Sequence, residues 1–351
     1  MHMADALISP AVGGVMWVAA AGLTVFSARK LKQEMDDRKT PLMGVLGALV
    51  FAAQMINFTI PGTGSSGHLG GAMILAVLLG PYAAFITMAS ILTIQALFFA
   101  DGGLLALGCN IINMGFFPCF IAFPLVYKRI AKSGADRKRI LPAAMAASIA
   151  GLLLGAMGVV TETFTSGISE LSFKTFILLM VPIHLVIGIV EGFVTASIVG
   201  FVSKARPEVL EMAAQTSKGS QGSLKPVIVT LAIIAALTGG FLSWFASTNP
   251  DGLEWSTAKS AVDKVLPAPQ GQIHSWFSKL QEKTAFLPDY GFKKDKAECD
   301  AAGEGKKGNE EQWPGVNAGT SISGLLGGAM SLVLVGLIGF GIRTFQRRKL
   351  K

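Results

Sequence analysis

The chain has 351 residues, of which 51% are hydrophobic and only 15% are charged. Soluble domains carry about 25% charged residues, so this composition excludes a soluble globular class and predicts a polytopic membrane protein. The formal net charge is +8, but the basic residues form short clusters between apolar segments, which excludes a nucleic-acid-binding role. The three cysteines, Cys109, Cys119 and Cys299, are too few and too scattered for a disulfide framework.

The chain begins MHMADALISP, with no basic region ahead of an apolar core, so a signal peptide is not predicted. A spanning helix needs roughly 20 apolar residues. Such spans are predicted at 10–28, 40–58, 82–99, 104–126, 140–161, 174–202, 226–246 and 320–342. The shorter apolar stretch 70–79 is either a short span or a re-entrant segment packed inside protein. The predicted fold is an all-α membrane bundle with about seven core spans and two C-terminal spans.

The basic clusters predict how the chain is oriented in the membrane. Lys and Arg residues follow the first span, the 104–126 span, the 174–202 span and the last span. By the positive-inside rule, these segments and the C-terminus are cytoplasmic. If 70–79 counts as a crossing, the N-terminus, residues 60–70 and the polar segment 247–319 are then extracytoplasmic.

Composition also divides the chain into units. Residues 1–202 form a predicted membrane core, and 203–225 form a cytoplasmic linker rich in Ser, Gly, Gln and Lys. Residues 226–351 form a two-span accessory unit whose insert, 247–319, is small and extracytoplasmic. Within that insert, the Gly-, Lys- and Glu-rich stretch 302–312 is predicted to be flexible.

The first two residues form a chelating group. The Met1 amine and the deprotonated His2 amide nitrogen close a five-membered ring on a metal ion, and His2 Nδ1 closes a six-membered ring. A fourth nitrogen from His68, in the loop GTGSSGHLGGA on the same predicted side, would complete a planar set. Tetragonal nitrogen sites suit Ni²⁺ or Cu²⁺, and Co²⁺ less obviously. The alternatives are a mobile N-terminus with a chance histidine and a hydrogen-bonded loop histidine.

Several motifs together resemble one family. They are the MH start followed by Ser9-Pro10, the His68 loop, DGGLLALG at 101–108 running into GxNxxNMG at 108–115, and HLVIGIVEG at 184–192. Over residues 1–202 the chain resembles the substrate-binding membrane subunit, or S component, of energy-coupling-factor transporters for nickel or cobalt. The PDGLE sequence at 250–254 resembles the accessory component of the same systems. The chain therefore looks like a fusion of the two.

The resemblance implies a substrate, partners and a location. The Met1 amine, the His2 amide and ring, and His68 would bind Ni²⁺, or secondarily Co²⁺, as the transported ion. The implied partners are a membrane coupling subunit and two ATPase subunits, in the cell membrane (the inner one) of a bacterium or archaeon. The chain has no phosphate-binding GxxxxGK[ST], HExxH or GxSxG motif, so neither ATP hydrolysis nor another enzyme activity is predicted. An ATPase-independent metal channel and a membrane metal sensor remain as alternatives.

Other polar residues in apolar sequence are functional candidates by default. Gln54 and Asn57 precede the His68 loop and are predicted either to orient a ligand or to hydrogen-bond between helices. His184 and Glu191 share a helical face and are predicted to be a structural polar pair or a contact for a partner subunit, with a metal relay as the alternative. His274 is predicted to be a solvated surface residue.

Three further features yield one prediction each. Asn110 and Asn113 share a helical face and are predicted to tie down backbone in the core. The GxxxG spacing at 151–155 is predicted to pack helices within the bundle. Asp251 and Asp263 are weak candidates for metal capture.

Overall fold

The structure is a computed structural model that describes residues 1–34, 38–132, 137–213, 223–261, 271–293 and 314–349. The predictions for Cys299, for Asp263, for the stretch 302–312 and for residues 214–222 of the linker lie outside the described residues.

The first part of the chain is a bundle of apolar helices. Their bounds are α1 Pro10–Glu34, α2 Lys39–Gln54, α3 Ala72–Leu79, α4 Pro81–Phe98, α5 Leu107–Ala131, α6 Arg137–Ser166, α7 Phe173–Ala205 and α8 Glu208–Ala213. Their positions follow the predicted spans. Ser172 begins α7 as an N-cap by accepting a hydrogen bond from Thr175 N at 3.4 Å.

The second part adds helices to the same bundle. They are α9 Lys225–Gly240, α10 Gly252–Ser260, α11 Gln272–Thr284 and α12 Ala318–Lys349. The long helix α12 packs along α2, α4 and α9. Within the described residues, six helices (α1, α4, α5, α6, α7 and α12) are long and apolar enough to cross a bilayer, and α2 and α9 are apolar but shorter. The predicted all-α membrane bundle is confirmed.

Helix α3 explains the ambiguous stretch 70–79. Its eight residues are all buried, and they rise only about 12 Å, less than half of a bilayer core of roughly 30 Å. A Cβ placed on Gly80 would lie 3.3 Å from the carbonyl oxygen of Ala213, so α3 ends beside α8, beyond the far end of α7. Helix α3 is therefore enclosed by other helices, where its backbone is shielded from lipid.

Helix α5 is wound as a π-helix over Ile112–Tyr127. Pro118 and Pro124 lie inside it, and each lacks the N–H group that a regular α-helix would use. The GxxxG face of α6 packs on this helix, because a Cβ on Gly151 would lie 3.3 Å from Pro118 and one on Gly155 would lie 2.6 Å from the Asn113 carbonyl oxygen. This small-residue face is used within the chain.

A short antiparallel hairpin precedes His68. Strand β1, Phe58–Ile60, pairs with β2, Ser65–Gly67, with Thr59 opposite Ser66. The hairpin lies at the end of the bundle where α2 and α4 end and where the N-terminal segment begins. It places His68 at the edge of a cavity between the two parts of the chain.

Candidate metal site

The N-terminal segment is anchored and buried. Met1 is only 5% exposed. Met3 N donates to Asn110 Oδ1 at 2.7 Å, and the Met3 carbonyl accepts from Gly103 N at 2.9 Å. The alternative of a free N-terminus therefore does not describe this structure, and Asn110 ties down backbone as predicted.

The DGG sequence makes room for this segment. Gly102 has φ +81°, and a Cβ there would lie 2.8 Å from Asn110 Nδ2 and 3.3 Å from His2 Cβ. A side chain on Gly103 would overlap Asp5. Two consecutive glycines let the N-terminal backbone lie directly on the loop before α5.

His68 presents one ring nitrogen to the Met1 amine. Its Nδ1 lies 3.1 Å from the Leu69 carbonyl oxygen, which can only accept, so Nδ1 is the protonated nitrogen. The lone pair is then on Nε2, which lies 3.0 Å from the Met1 amine nitrogen. Glu191 supports the loop by accepting from Gly70 N at 2.7 Å. Both the His68 tautomer and its direction suit a nitrogen ligand.

The PDGLE segment docks on the same loop. Ser66 N donates to the Pro250 carbonyl and Ser66 Oγ to the Asn249 carbonyl, both at 2.8 Å. Asp251 begins α10 as its N-cap: its Oδ1 accepts from Glu254 N at 2.8 Å, and the Glu254 side chain completes a capping box. The cap leaves Asp251 Oδ2 facing the site, 3.4 Å from the Met1 amine and 3.9 Å from His68 Nε2.

His2 occupies a different part of the site. Its ring is stacked on that of His68, with centroids 5.0 Å apart and an interplanar angle of 21°. His2 Nδ1 lies 3.2 Å from Asp101 Oδ1, and Nε2 lies 3.2 Å from Gln95 Oε1. The structure thus brings His2 beside His68 but turns its Nδ1 toward Asp101.

Hydrogen bonds behind His2 connect it to α2. Gln95 Nε2 donates to Gln54 Oε1 at 2.9 Å, and Gln54 Nε2 donates to the Gly70 carbonyl at 2.8 Å. Tyr290 donates to Asp101 Oδ2 at 2.5 Å. The sequence analysis assigned no role to Gln95, Asp101 or Tyr290. The only sequence signal for them is that Asp101 opens the DGGLLALG motif and Gln95 is a polar residue in an apolar span.

Burial governs the charges at this site. Burial first, and then the charge of the Met1 amine, lower the pKa of both His2 and His68 to about 3. The His2 ring is therefore neutral at neutral pH and has one N–H to donate, either to Asp101 Oδ1 or to Gln95 Oε1. Burial by itself would raise the pKa of Asp251, but the Met1 amine and then His68 hold it well below its usual range. Asp251 is the carboxylate that balances the Met1 charge.

The residues around the site enclose a cavity of about 920 Å³ that is open to the outside of the protein. Both parts of the chain line it: the first contributes His2, His68 and Asp101, and the second contributes Asp251, His274 and Tyr290. In the described part of the chain, no three His, Cys, Asp or Glu side chains are grouped as a metal site. The donor atoms that the structure does bring together here include the Met1 amine nitrogen, which lies 3.0 Å from His68 Nε2.

Three predicted residues lie away from the nitrogen donors. Asn57 lines the cavity, but its Oδ1 has no hydrogen-bond partner among the described residues. His184 Nδ1 donates to the Met180 carbonyl at 2.8 Å, while Glu191 bonds to the His68 loop. His184 and Glu191 therefore have separate partners, and a contact with a partner subunit stays a prediction.

The prediction for His274 is wrong. The side chain is buried, and its Nε2 donates to the Ile8 carbonyl at 2.9 Å. Helix α11 is amphipathic and lies over the N-terminal segment, so the histidine faces inward. A solvated face was predicted because the local sequence is polar, but the partner of this face is 266 residues away in the chain.

Comparison with known proteins identifies the family of each part of the chain. Residues 2–209 match the family described as cobalt uptake substrate-specific transmembrane region, and residues 225–344 match the PDGLE domain. The fused nickel transport protein NikMN of Rhodobacter capsulatus is 34% identical over 227 residues, which are 60% of this chain and 64% of that protein. The cobalt transport protein CbiM of Geobacter sulfurreducens is 28% identical over 283 residues, covering 78% of this chain and 79% of the relative.

A solved structure described as a truncated transition metal transporter superposes with a TM-score of 0.52 and 30% identity, covering 58% of this chain and 99% of that chain. The resemblance seen in the motifs is confirmed. The chain therefore belongs to the family of cobalt uptake substrate-specific transmembrane proteins, joined in one polypeptide to a PDGLE region, and is a multi-pass membrane component of a metal transporter and not an enzyme.

Proposed function

We propose that the chain captures a divalent transition-metal ion, Ni²⁺ in preference to Co²⁺, as the substrate-binding component of an energy-coupling-factor transporter. The ion is held by the Met1 amine, the His2 amide nitrogen, His2 Nδ1 and His68 Nε2. Residues 1–202 act as the capturing core, 203–225 as a linker, and 226–351 as the accessory unit.

The contact between Met1 and His68 is the observation that supports this function most directly. Two nitrogens 3.0 Å apart, each at a bond length of roughly 2.0 Å from one ion, subtend an angle of about 97° at that ion. Adjacent positions in a square plane are 90° apart, so these two nitrogens suit neighbouring positions. The Nδ1–H bond to Leu69 directs the His68 lone pair to that point.

Assembly of the planar set requires one movement. His2 Nδ1 lies against Asp101, so the ring must turn away from the carboxyl group to bring Nδ1 to the ion. The rings of His2 and His68 are already neutral because burial lowers their pKa to about 3. The His2 amide and the Met1 amine must each lose a proton, so binding releases protons. A planar set of four nitrogens favours nickel over cobalt.

Transport then needs partners. The chain has no phosphate-binding motif, so the energy comes from two ATPase subunits acting through a membrane coupling subunit. The basic clusters support an orientation with the cavity outside the cell and the C-terminus in the cytoplasm. The ion is thus taken from outside and released inside the cell.

Metal content of the purified chain tests this function. We expect one nickel ion per wild-type chain, with a yellow, diamagnetic signature, and we expect its loss in His2→Leu. Leucine is bulky enough to retain Met1 but supplies no ring nitrogen. Met3→Leu is the matched control, because it makes a similar exchange in the same segment and conserves side-chain volume.

Two results would contradict the proposal. Equal metal content in wild type and His2→Leu would mean that the N-terminal residues are not the site. Loss of metal in Met3→Leu as well would mean that the whole segment is sensitive and that His2 has no special role.

A further inference from the structure

Three donor atoms from three distant parts of the chain surround one point. The Met1 amine nitrogen, His68 Nε2 and Asp251 Oδ2 form a triangle with sides of 3.0, 3.4 and 3.9 Å. The circumradius of this triangle is about 2.0 Å, and its centre lies inside the triangle. First-row ions such as Zn²⁺ bind imidazole nitrogen at roughly 2.0–2.1 Å and carboxylate oxygen at roughly 2.0–2.2 Å. One ion could therefore bind all three atoms without moving them.

Asp251 is held so that one oxygen remains for this point. Its Oδ1 caps α10, and the pairing of Ser66 with Pro250 fixes the backbone just before it. Its side chain is 17% exposed at the cavity, whereas that of the Met1 residue is 3% exposed. The carboxylate is thus the donor of the three that an arriving ion meets first.

We propose that Asp251, in the PDGLE sequence, is a ligand that captures the arriving ion and then hands it to the planar nitrogen set. This inference rests on the proposed function. An ionised carboxylate binds a hydrated cation without losing a proton, whereas the His2 amide nitrogen binds only after it is deprotonated. The carboxylate and His68 hold the ion during that slower step, joined by the Met1 amine once it has given its proton to water in the cavity.

The geometry also indicates which ligand replaces Asp251. Seen from the centre of the triangle, the 3.9 Å side between Asp251 Oδ2 and His68 Nε2 subtends about 150° at a bond length of roughly 2.0 Å. The two chelate rings place the amide nitrogen between the amine and His2 Nδ1, so the amide lies opposite His68. Asp251 is closest to that same position. The amide gives its proton to water in the cavity and then displaces the carboxylate from the ion. The carboxylate is left facing the cavity.

The test measures how fast the purified full-length chain takes up aqueous Ni²⁺, by stopped-flow absorbance of the planar complex. Asparagine is as good an N-cap as aspartate, so Asp251→Asn retains α10 while removing the charged ligand. We expect Asp251→Asn to load at least about tenfold more slowly and to reach the same final content of one ion per chain. Asp251→Ser, another good N-cap, should show the same defect.

Glu254→Gln is the matched control, because it removes one negative charge from the same sequence and retains a capping box. It should load at nearly the wild-type rate. Equal slowing in Glu254→Gln and Asp251→Asn would mean general electrostatic attraction and would overturn the proposal. Unchanged or faster loading in Asp251→Asn would also overturn it, because Asp251 would then be only a counter-ion that holds the amine away from the metal.

Failure of the proposed function has a different signature. If the N-terminal residues are not the site, His2→Leu retains full metal content whatever the loading rate of Asp251→Asn. If Asp251 alone is misassigned, His2→Leu still loses the metal while Asp251→Asn loads normally.

Discussion

The two parts of the chain contribute different candidate ligands to one cavity. The core supplies the candidate nitrogen donors, which are neutral rings and backbone groups held by hydrogen bonds to nearby backbone, as in the His68 bond to Leu69. The PDGLE region supplies a negatively charged oxygen, Asp251, held by the cap of α10. In the proposed function, the nitrogen ligands set the affinity and preference for the ion, whereas the partly exposed carboxylate affects how the ion arrives.

The same contrast appears in how each part is anchored. In the core, the N-terminal segment lies against α5 and the loop before it, through Asn110 and Gly103. The PDGLE region reaches the site through long-range contacts, from Pro250 to the hairpin and from His274 to the N-terminal segment. The core should therefore determine whether the ion is bound, and the PDGLE region should determine how quickly it enters and leaves.

The largest effect on nickel binding is expected from a change inside the core. Gln54→Leu removes the amide that joins Gln95 to the Gly70 carbonyl, so the support behind both His2 and the His68 loop is lost. Groups that orient metal ligands change affinity by roughly 10–100-fold. We expect nickel affinity, measured by equilibrium titration of the purified chain, to fall by that amount.

Asn57→Ala is the control for this variant. The sequence predicts the same role for Asn57 as for Gln54, but Asn57 Oδ1 has no hydrogen-bond partner among the described residues. Its removal should leave nickel affinity within about twofold of wild type, because truncation breaks no hydrogen bond accepted by Asn57 Oδ1 and so leaves no partner of that atom unsatisfied. Equal losses of nickel affinity in both variants would show that the hydrogen bond between Gln54 and Gln95 does not support nickel binding.

A smaller effect is expected from the PDGLE region. His274→Ala removes the hydrogen bond to the Ile8 carbonyl, which joins α11 to the N-terminal segment. One hydrogen bond contributes about 1 kcal/mol net to stability, which corresponds to a factor of about five in an equilibrium or rate constant. We expect bound nickel to dissociate about five times faster into excess chelator, with unchanged stoichiometry.

Ser278 lies on the same helix and also lines the cavity, so Ser278→Ala serves as the control. Nickel should dissociate from this variant at the wild-type rate. If His274→Ala leaves dissociation unchanged, the PDGLE region affects only arrival of the ion, and the comparison between the two regions becomes sharper.

A separate effect, on stability and not on nickel binding, is a dependence of stability on pH in the metal-free protein. The folded pKa of His2 and His68 is lowered to about 3, from an unperturbed value near 6.5. The unfolded chain therefore binds more protons, so stability is full above about pH 6.5 and is lost as the pH falls toward 3. Asp251 stays ionised over most of this range because its pKa is lowered.

Thermal unfolding of the metal-free chain in detergent measures this dependence. We expect the midpoint temperature to fall steadily between about pH 6.5 and pH 4. His68→Leu should have a shallower dependence, because one titrating group is gone. An identical slope in wild type and His68→Leu would place the acid sensitivity elsewhere in the chain.

The sequence by itself determined the class of the molecule and the position of its helices. Apolar stretches of about 20 residues predict spans because a bilayer demands internally bonded backbone. It also determined the chelating potential of Met1 and His2, because that geometry depends only on the covalent bonds of two neighbouring residues. The motifs around His68 and the PDGLE sequence predicted the family because each motif is a short run of neighbouring residues that can be read directly from the sequence.

Only the tertiary structure decided which distant groups meet at the site. The Met1 amine meets Asp251 across 250 positions, and His274 meets Ile8 across 266. Asp251 and His274 lie in polar sequence whose composition predicts solvent exposure, because local hydrophobicity does not encode which surface covers another. Burial between the two parts of the chain neutralises the histidines and directs the carboxylate, and burial of this kind exists only after the helices have packed.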